Sequence, residues 1–298
     1  MNTTKRARVR LILSMAAFGT LAPFVRNISV SSGELALYRA ILAAALIGTF
    51  LVATKQQIPF RALGKDLYLL LFSGIAMGFN WILLFEAYKY TTVAISTLSY
   101  YFAPVIVTVV CPFLFKEKMT RKQILCFIMS TLGLSLVVGI TDLGSGGNDA
   151  AGVAFGLGAA VLYATVILLN KFIKGVTGIH RTFLQFLAAI AVLIPYVLCT
   201  GGMHPEILSS TGWICLLVVG LVHTGITYCM YFSSLKELPG QEAAILSYVD
   251  PLVAILVSVL LLGEGMTPVQ LLGGAMILGF TLWNELSPNP EKGGAAHE

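Results

Sequence analysis

Charge is scarce in this sequence. Lys and Arg number 19 and Asp and Glu 14 among 298 residues, so charged types make up 11% of the chain and hydrophobic types 57%. A soluble domain carries about 25% charged residues, and this chain has too few to coat a water-facing surface. That shortage excludes a soluble enzyme, a nucleic-acid-binding protein and a disordered chain. Groupings of metal ligands are lacking too. Cys111, Cys126, Cys199, Cys215 and Cys229 fall in apolar stretches, with no CxxC and no His at ligand spacing. They are expected to be small apolar packing residues. No paired Asp and no His-Glu motif stands at helical spacing, so no catalytic residue, metal or cofactor is expected.

What the sequence has in abundance is apolar runs. The mean hydropathy is +0.86. At roughly 20 residues per span plus short connections, the length accommodates about ten membrane helices. Apolar stretches predict them near 9–27, 33–53, 67–88, 92–114, 121–140, 152–172, 181–200, 211–234, 240–262 and 267–285. The connections are short and carry breakers or charges. The first stretch follows Lys5, Arg6, Arg8 and Arg10 but has no small-residue cleavage site after it, so it reads as an uncleaved span. The end SPNPEKGGAAHE reads as a short flexible tail.

The basic residues give an orientation. With ten spans and the N-terminus in the cytoplasm, sixteen of the nineteen Lys and Arg fall on the inner side. Arg26 and Lys89 fall outside, and Arg39 lies within a span. This bias predicts that both termini are cytoplasmic.

The sequence also repeats itself. Shifted by 147 positions, Leu98–Met129 aligns without a gap with Ile245–Met276, and ten of 32 positions are identical. Among them are Tyr101 with Tyr248, Pro104 with Pro251, Glu117 with Glu264, Thr120 with Thr267 and Gln123 with Gln270. In both copies Thr-x-x-Gln reads as a capping box opening the next helix. Lys116, Lys118, Arg121 and Lys122 surround the first copy, whereas Gly263, Gly265, Pro268 and Val269 occupy those positions in the second. The device keeps its cap and loses its positive charge, as a turn on the outer face requires. Five spans per half is an odd number, so the halves run in opposite senses. The expected fold is an all-α integral membrane protein: ten transmembrane helices as two inverted five-helix repeats, 1–145 and 146–286, followed by a tail at 287–298. Such repeats build secondary transporters with a site near the bilayer midplane.

At this point the residues resemble a family. AYKYTTVAISTLSYYFAPVIVTVVCPFLFKEKMT is similar to the fourth-helix region of the drug/metabolite transporter superfamily, EamA-type. SSLKELPGQEAAILSYVDPLVAILVSVLLLGEGMT resembles that family's ninth-helix signature, a small-residue run, a mid-helix Pro and then apolar-Gly-Glu. The first copy departs from Leu-Gly-Glu, reading Phe115-Lys116-Glu117. The resemblance implies ten helices, cytoplasmic termini and a central cavity lined mainly by helices 1, 3, 4, 6, 8 and 9. It also implies transport of small polar or amphipathic metabolites, often the export of amino acids.

Polar residues inside spans are expensive and mark candidate sites. His223, Thr227, Tyr231 and Ser234 share one face of helix 8. The repeat pairs Thr227 with Asn80, and both are expected to face the cavity. Tyr101 and Tyr248 stand three residues before Pro104 and Pro251, whose paired kinks suit a hinge. Trp81, Tyr163 and Tyr228 are candidates to stack on an amphipathic or aromatic substrate, and Tyr100 is another. Asp250 is the candidate proton carrier or amine ligand, with a fixed ion pair to Arg39 as its structural alternative. Glu86 with Lys89, His223, and the cap-adjacent Glu117 and Glu264 read as structural. The expected partners are a small-molecule substrate, the lipid bilayer and, as a candidate coupled ion, the proton. Nucleic acid is not expected, and monomer and homodimer both stay open. The functional expectation is a secondary transporter exporting a small metabolite by alternating access across the cell membrane. A passive facilitator or channel-like pore for a small polar solute is the alternative.

Overall fold

A computed structural model describes residues 3–58, 63–64, 66–115, 119–138, 149–176, 178–235, 237–238, 243 and 246–286. The described chain is all-helical. Its spans are α1 (Thr4–Arg26), α2 (Ser32–Ala53), α3 (Asp66–Tyr90) and α4 (Val93–Cys111). There follow α5 (Arg121–Val138), α6 (Asp149–Phe172), α7 (Gly178–Thr200), α8 (Ser210–Leu235), α9 (Val249–Leu261) and α10 (Pro268–Glu285). Among the described residues, seven helices (α1 to α4 and α6 to α8) are long and apolar enough to cross a membrane, and α9 is a shorter apolar helix. The expected turn charges Lys116, Glu117 and Lys118, the boundary at 145/146 and the tail at 287–298 lie outside the described residues.

The surface is inverted relative to a soluble domain. Val52, Phe113, Leu260 and Leu261 are 70% exposed or more, whereas Arg39, Asn80 and Gln185 are 3% exposed or less. An exterior this apolar belongs against lipid.

Local sequence sets the helix ends. Thr120 and Gln123 form the expected capping box, with Thr120 N–H donating to Gln123 Oε1 at 2.8 Å and Gln123 N–H to Thr120 Oγ1 at 3.2 Å. Thr267 and Gln270 repeat it at 2.9 and 3.2 Å, with Pro268 in the first turn, where its missing N–H costs nothing. Ser31 and Glu34 build a third box before α2.

The prolines act as expected on helix continuity. Helix α4 is interrupted after Tyr100 and resumes at Ala103. Pro104 has no N–H to give the Tyr100 carbonyl, and its ring would clash there. The backbone tightens instead, with Phe102 N–H donating to Ser99 O at 3.2 Å. Just before α9 the helical backbone is broken at Tyr248, three residues before Pro251.

The bundle packs in a pattern of pairs. Helix α3 lies against α6 and α7, and α8 lies against α1 and α2; α4 contacts α6, and α9 contacts α1; α2 pairs with α7, and α5 with α10. Close approach depends on small residues, because lipid offers no hydrophobic drive between helices. A Cβ on Gly78 of α3 would stand 3.3 Å from Leu193 Cγ of α7, and one on Gly225 of α8 would stand 2.9 Å from Leu46 Cδ2 of α2.

Candidate substrate cavity

The helices enclose a cavity of about 460 Å³. Residues from α1, α2, α3, α4, α6, α7, α8 and α9 line it. Its wall is mostly aromatic and apolar, with a few polar groups converging from different helices, as small-molecule sites usually are.

The aromatic rings in and behind the wall form two groups. Tyr100 of α4 stacks on Tyr163 of α6, with centroids 5.1 Å apart and planes 25° apart, and stands edge-on to Tyr101 at 6.0 Å. Phe186 of α7 links Trp81 and Tyr228, at 5.3 and 5.4 Å, and Phe18 of α1 meets Tyr228 at 5.3 Å. The interruption before Pro104 places Tyr100 and Tyr101 where the helix changes direction, and both rings line the cavity.

The charged part has three members. Asp250 accepts a 2.6 Å hydrogen bond from the Tyr101 hydroxyl, joining α9 to α4. Arg39 of α2 donates from Nε to Thr224 Oγ1 of α8 at 2.6 Å. Arg181 of α7 donates to the Asn170 carbonyl at 3.1 Å. Nearby, Gln185 Nε2 donates to Ser73 Oγ at 2.5 Å and to Asn170 Oδ1 at 2.8 Å, tying α7 to α3 and α6.

Beyond the residues that line the cavity, a polar cluster joins several helix ends. Glu264, just beyond α9, pairs with Arg26 at the end of α1. It accepts from the Val93 N–H of α4 at 2.9 Å and from the Ser258 hydroxyl. Arg26 also donates to the Tyr88 and Thr91 carbonyls at 3.3 and 3.2 Å. Four segments meet on one ion pair. The lining itself includes Arg181, near the start of α7, and Leu235, the last residue of α8.

A model of the EamA-like transporter family matches this chain twice, over residues 8–139 and 150–284. The chain belongs to the EamA-like transporter family. It is similar to "Uncharacterized transporter YxxF" of Bacillus subtilis (strain 168), 30% identical over 272 residues, covering 91% of this chain and 86% of that protein. An "Uncharacterized transporter" of Archaeoglobus fulgidus is 30% identical over 286 residues, covering 92% and 95%. A crystal structure superposes with a TM-score of 0.59 at 17% identity over 92% of this chain and 95% of that one, which shows a shared fold.

Within this EamA-like transporter the expected site residues divide into two sets. Trp81, Tyr101, Tyr163, Tyr228, Tyr248, Asp250 and Pro104 all line the cavity. Asn80, Thr227 and Pro251 do not. The expectation that Asn80 and Thr227 face the cavity gives way to a packing role. Asn80 Nδ2 donates to the Ala159 carbonyl of α6 at 2.6 Å, and Thr227 Oγ1 donates to Val222 O at 2.8 Å. Both side chains are spent inside the bundle, at 3% and 2% exposure. Pro251 is buried. His223 joins helices as read from sequence, its Nε2 3.1 Å from Thr20 Oγ1, and Lys89 pairs with Glu86 at 3.0 Å.

Arg39 does not pair with Asp250. Both line the cavity, yet no ion pair within 4.0 Å joins them. The lining also draws on α2 and α7, beyond the six helices expected. Arg39, Arg181 and Gln185 are not among the expected site residues; Arg39 and Gln185 are polar within apolar runs, the signal available for them, whereas Arg181 counts with the inner-side basic residues.

Proposed function

We propose that this chain is a secondary transporter of the cell membrane that moves a small amphipathic metabolite, an amino acid or an aromatic compound, outward by alternating access. The observation that carries this reading is the cavity: about 460 Å³, lined by aromatic side chains and holding Asp250 and Arg39 unpaired to one another; we read the Arg26–Glu264 pair beyond it as the closure of one end.

The pattern of helix pairs supports ten crossings in two inverted repeats, 1–145 and 146–286, with a tail at 287–298. Adding five to each helix number turns the α3–α6 contact into α8–α1, α3–α7 into α8–α2 and α4–α6 into α9–α1, while α2–α7 and α5–α10 map onto themselves. Gly78 against Leu193 likewise becomes Gly225 against Leu46. The Lys and Arg bias supports cytoplasmic termini, which puts the Arg26–Glu264 end outside and the Arg181 end inside. The conformation described is then inward-facing, ready to load from the cytoplasm. Trp81, Tyr101, Tyr163, Tyr228, Tyr248 and Asp250 contact substrate, and Pro104 and Pro251 act as the hinge. Asp250 is the candidate to exchange a proton with cargo. Each monomer encloses a whole cavity, so a homodimer is not needed for a site.

The test is counterflow in proteoliposomes, with unlabelled amino acids and aromatic amines loaded inside and tracer outside. Saturable, trans-stimulated exchange is the expected result. Linear flux without counterflow makes the protein a facilitative pore, and a pH gradient that drives flux in wild type but not in Asp250→Asn assigns proton coupling to Asp250.

A further inference from the structure

Arg39 is the group the transport reading leaves without a task, and the inference here rests on that reading. The residue sits about two turns into α2, is 3% exposed and lines the cavity. Its Nε donates to Thr224 Oγ1 at 2.6 Å, and among the described residues that is its only hydrogen bond. Its Cζ lies 4.6 Å from the ring centroid of Trp81 and 5.6 Å from that of Phe85. The carboxylates of the neighbouring helices are engaged elsewhere. Glu34 accepts from Ser31 and His204, Glu86 from Lys89, Glu264 from Arg26 and Asp250 from Tyr101.

A guanidinium inside a membrane protein is costly unless something of opposite charge meets it. Thr224 and the two rings orient the group and shield its face, but neither supplies negative charge. Thr224 is itself fixed, because its hydroxyl donates to Val219 O at 2.8 Å across a wide turn of α8 and so accepts from Arg39 with a remaining lone pair. The arrangement is also absent from the other half. A shift of 147 places Phe186 of α7 where α2 has Arg39. The packing of the paired helix therefore works with an apolar ring, and the arginine is an addition to it.

We propose that Arg39 receives the carboxylate of the cargo, so that the cavity selects amphipathic molecules carrying a carboxylate, zwitterions above all. The planar fork of donors on Arg matches a carboxylate's two oxygens. Asp250, held by Tyr101, accepts the cargo's ammonium group, and the aromatic wall covers its side chain. A bound zwitterion neutralises both charges at once. It also bridges α2 of the first half to α9 of the second, and the two halves then move with their charges paired.

The probe is a matched set in proteoliposomes: tryptophan, tryptamine, indole-3-propionate and tryptophol, with leucine, isoamylamine, 4-methylpentanoate and isoamyl alcohol as aliphatic counterparts. Wild type is expected to exchange the amino acids best and the carboxylate-only compounds ahead of the amine-only and neutral ones. Arg39→Gln is expected to weaken carboxylate-bearing cargo about 30-fold or more in apparent affinity, as loss of a buried charge partner does, with amine-only and neutral cargo little changed. Arg39→Lys is expected to recover part of the loss. Equal exchange of tryptamine or tryptophol and tryptophan by wild type overturns the assignment, and needs no variant to fold. So does a carboxylate preference that survives in folded Arg39→Gln, or one lost in Arg181→Gln instead. Exchange of no member of the set by folded wild type overturns the transport reading itself.

Discussion

Asn80 and Asp250 illustrate how much a side chain's role depends on what faces it. Both are polar residues in apolar helices. Asn80 spends its amide on the Ala159 carbonyl and is sealed between α3 and α6. Asp250 keeps one partner, the Tyr101 hydroxyl, and faces the cavity. Interhelical hydrogen bonds in membranes are worth about 0.6 kcal/mol on average, up to about 1.7. Asn80→Ala is therefore expected to destabilise the protein in detergent by a free energy in that range, read as a lower melting temperature, with cargo affinity unchanged. A large affinity loss without a stability loss would return Asn80 to the cavity. The expectation failed for a physical reason. Helical spacing tells which residues share a face, but not whether a cavity or a neighbouring helix lies opposite. The same limit applied to Arg39 in reverse: its position in an apolar run was plain, whereas Thr224 and Trp81, which hold it, come from α8 and α3.

The helices themselves were far more legible. Predicted spans agree with α2, α3, α7 and α10 to within a few residues, because apolar length and the caps at Ser31 and Thr267 mark those ends locally. Proline chemistry favours the interruptions before Pro104 and Pro251, although Pro195 sits within the unbroken α7. The contributions of α2 and α7 to the lining were not legible, since they depend on how helices from opposite halves are set against each other. That setting depends on close approach. Gly225 meets Leu46, and Gly78 meets Leu193 and Ala189. Overpacking a tight contact costs about 1–3 kcal/mol. Gly225→Leu and Gly78→Leu are each expected to destabilise by that order in thermal unfolding, and Gly265→Leu, where a Cβ meets nothing, to leave stability unchanged. Equal effects at all three positions would remove the packing argument.

Across the whole molecule, one cluster of polar contacts between helices concentrates on Glu264. Arg26 of α1, Val93 of α4 and Ser258 of α9 converge on that one carboxylate, and the Ala94 N–H donates to Ser258 Oγ at 3.2 Å. The alternating access proposed above requires these contacts to part together. Glu264→Gln removes the charge while retaining an acceptor, and so is expected to favour opening at this end. With Ser247→Cys in the cavity as reporter, a membrane-impermeant maleimide added outside should react severalfold faster in Glu264→Gln than in the parent. An unchanged rate would mean that this ion pair does not hold the end closed.

Of the three tryptophans, Trp213 and Trp283 are 44% and 43% exposed on the outside of the bundle, whereas Trp81 is 4% exposed and lies beneath the Arg39 guanidinium. With phenylalanine at the two outer positions, the protein's indole emission would come from one residue in the cavity wall. Occupancy of the cavity would then be legible as a change in brightness or colour, without a label, for any molecule that does not itself fluoresce.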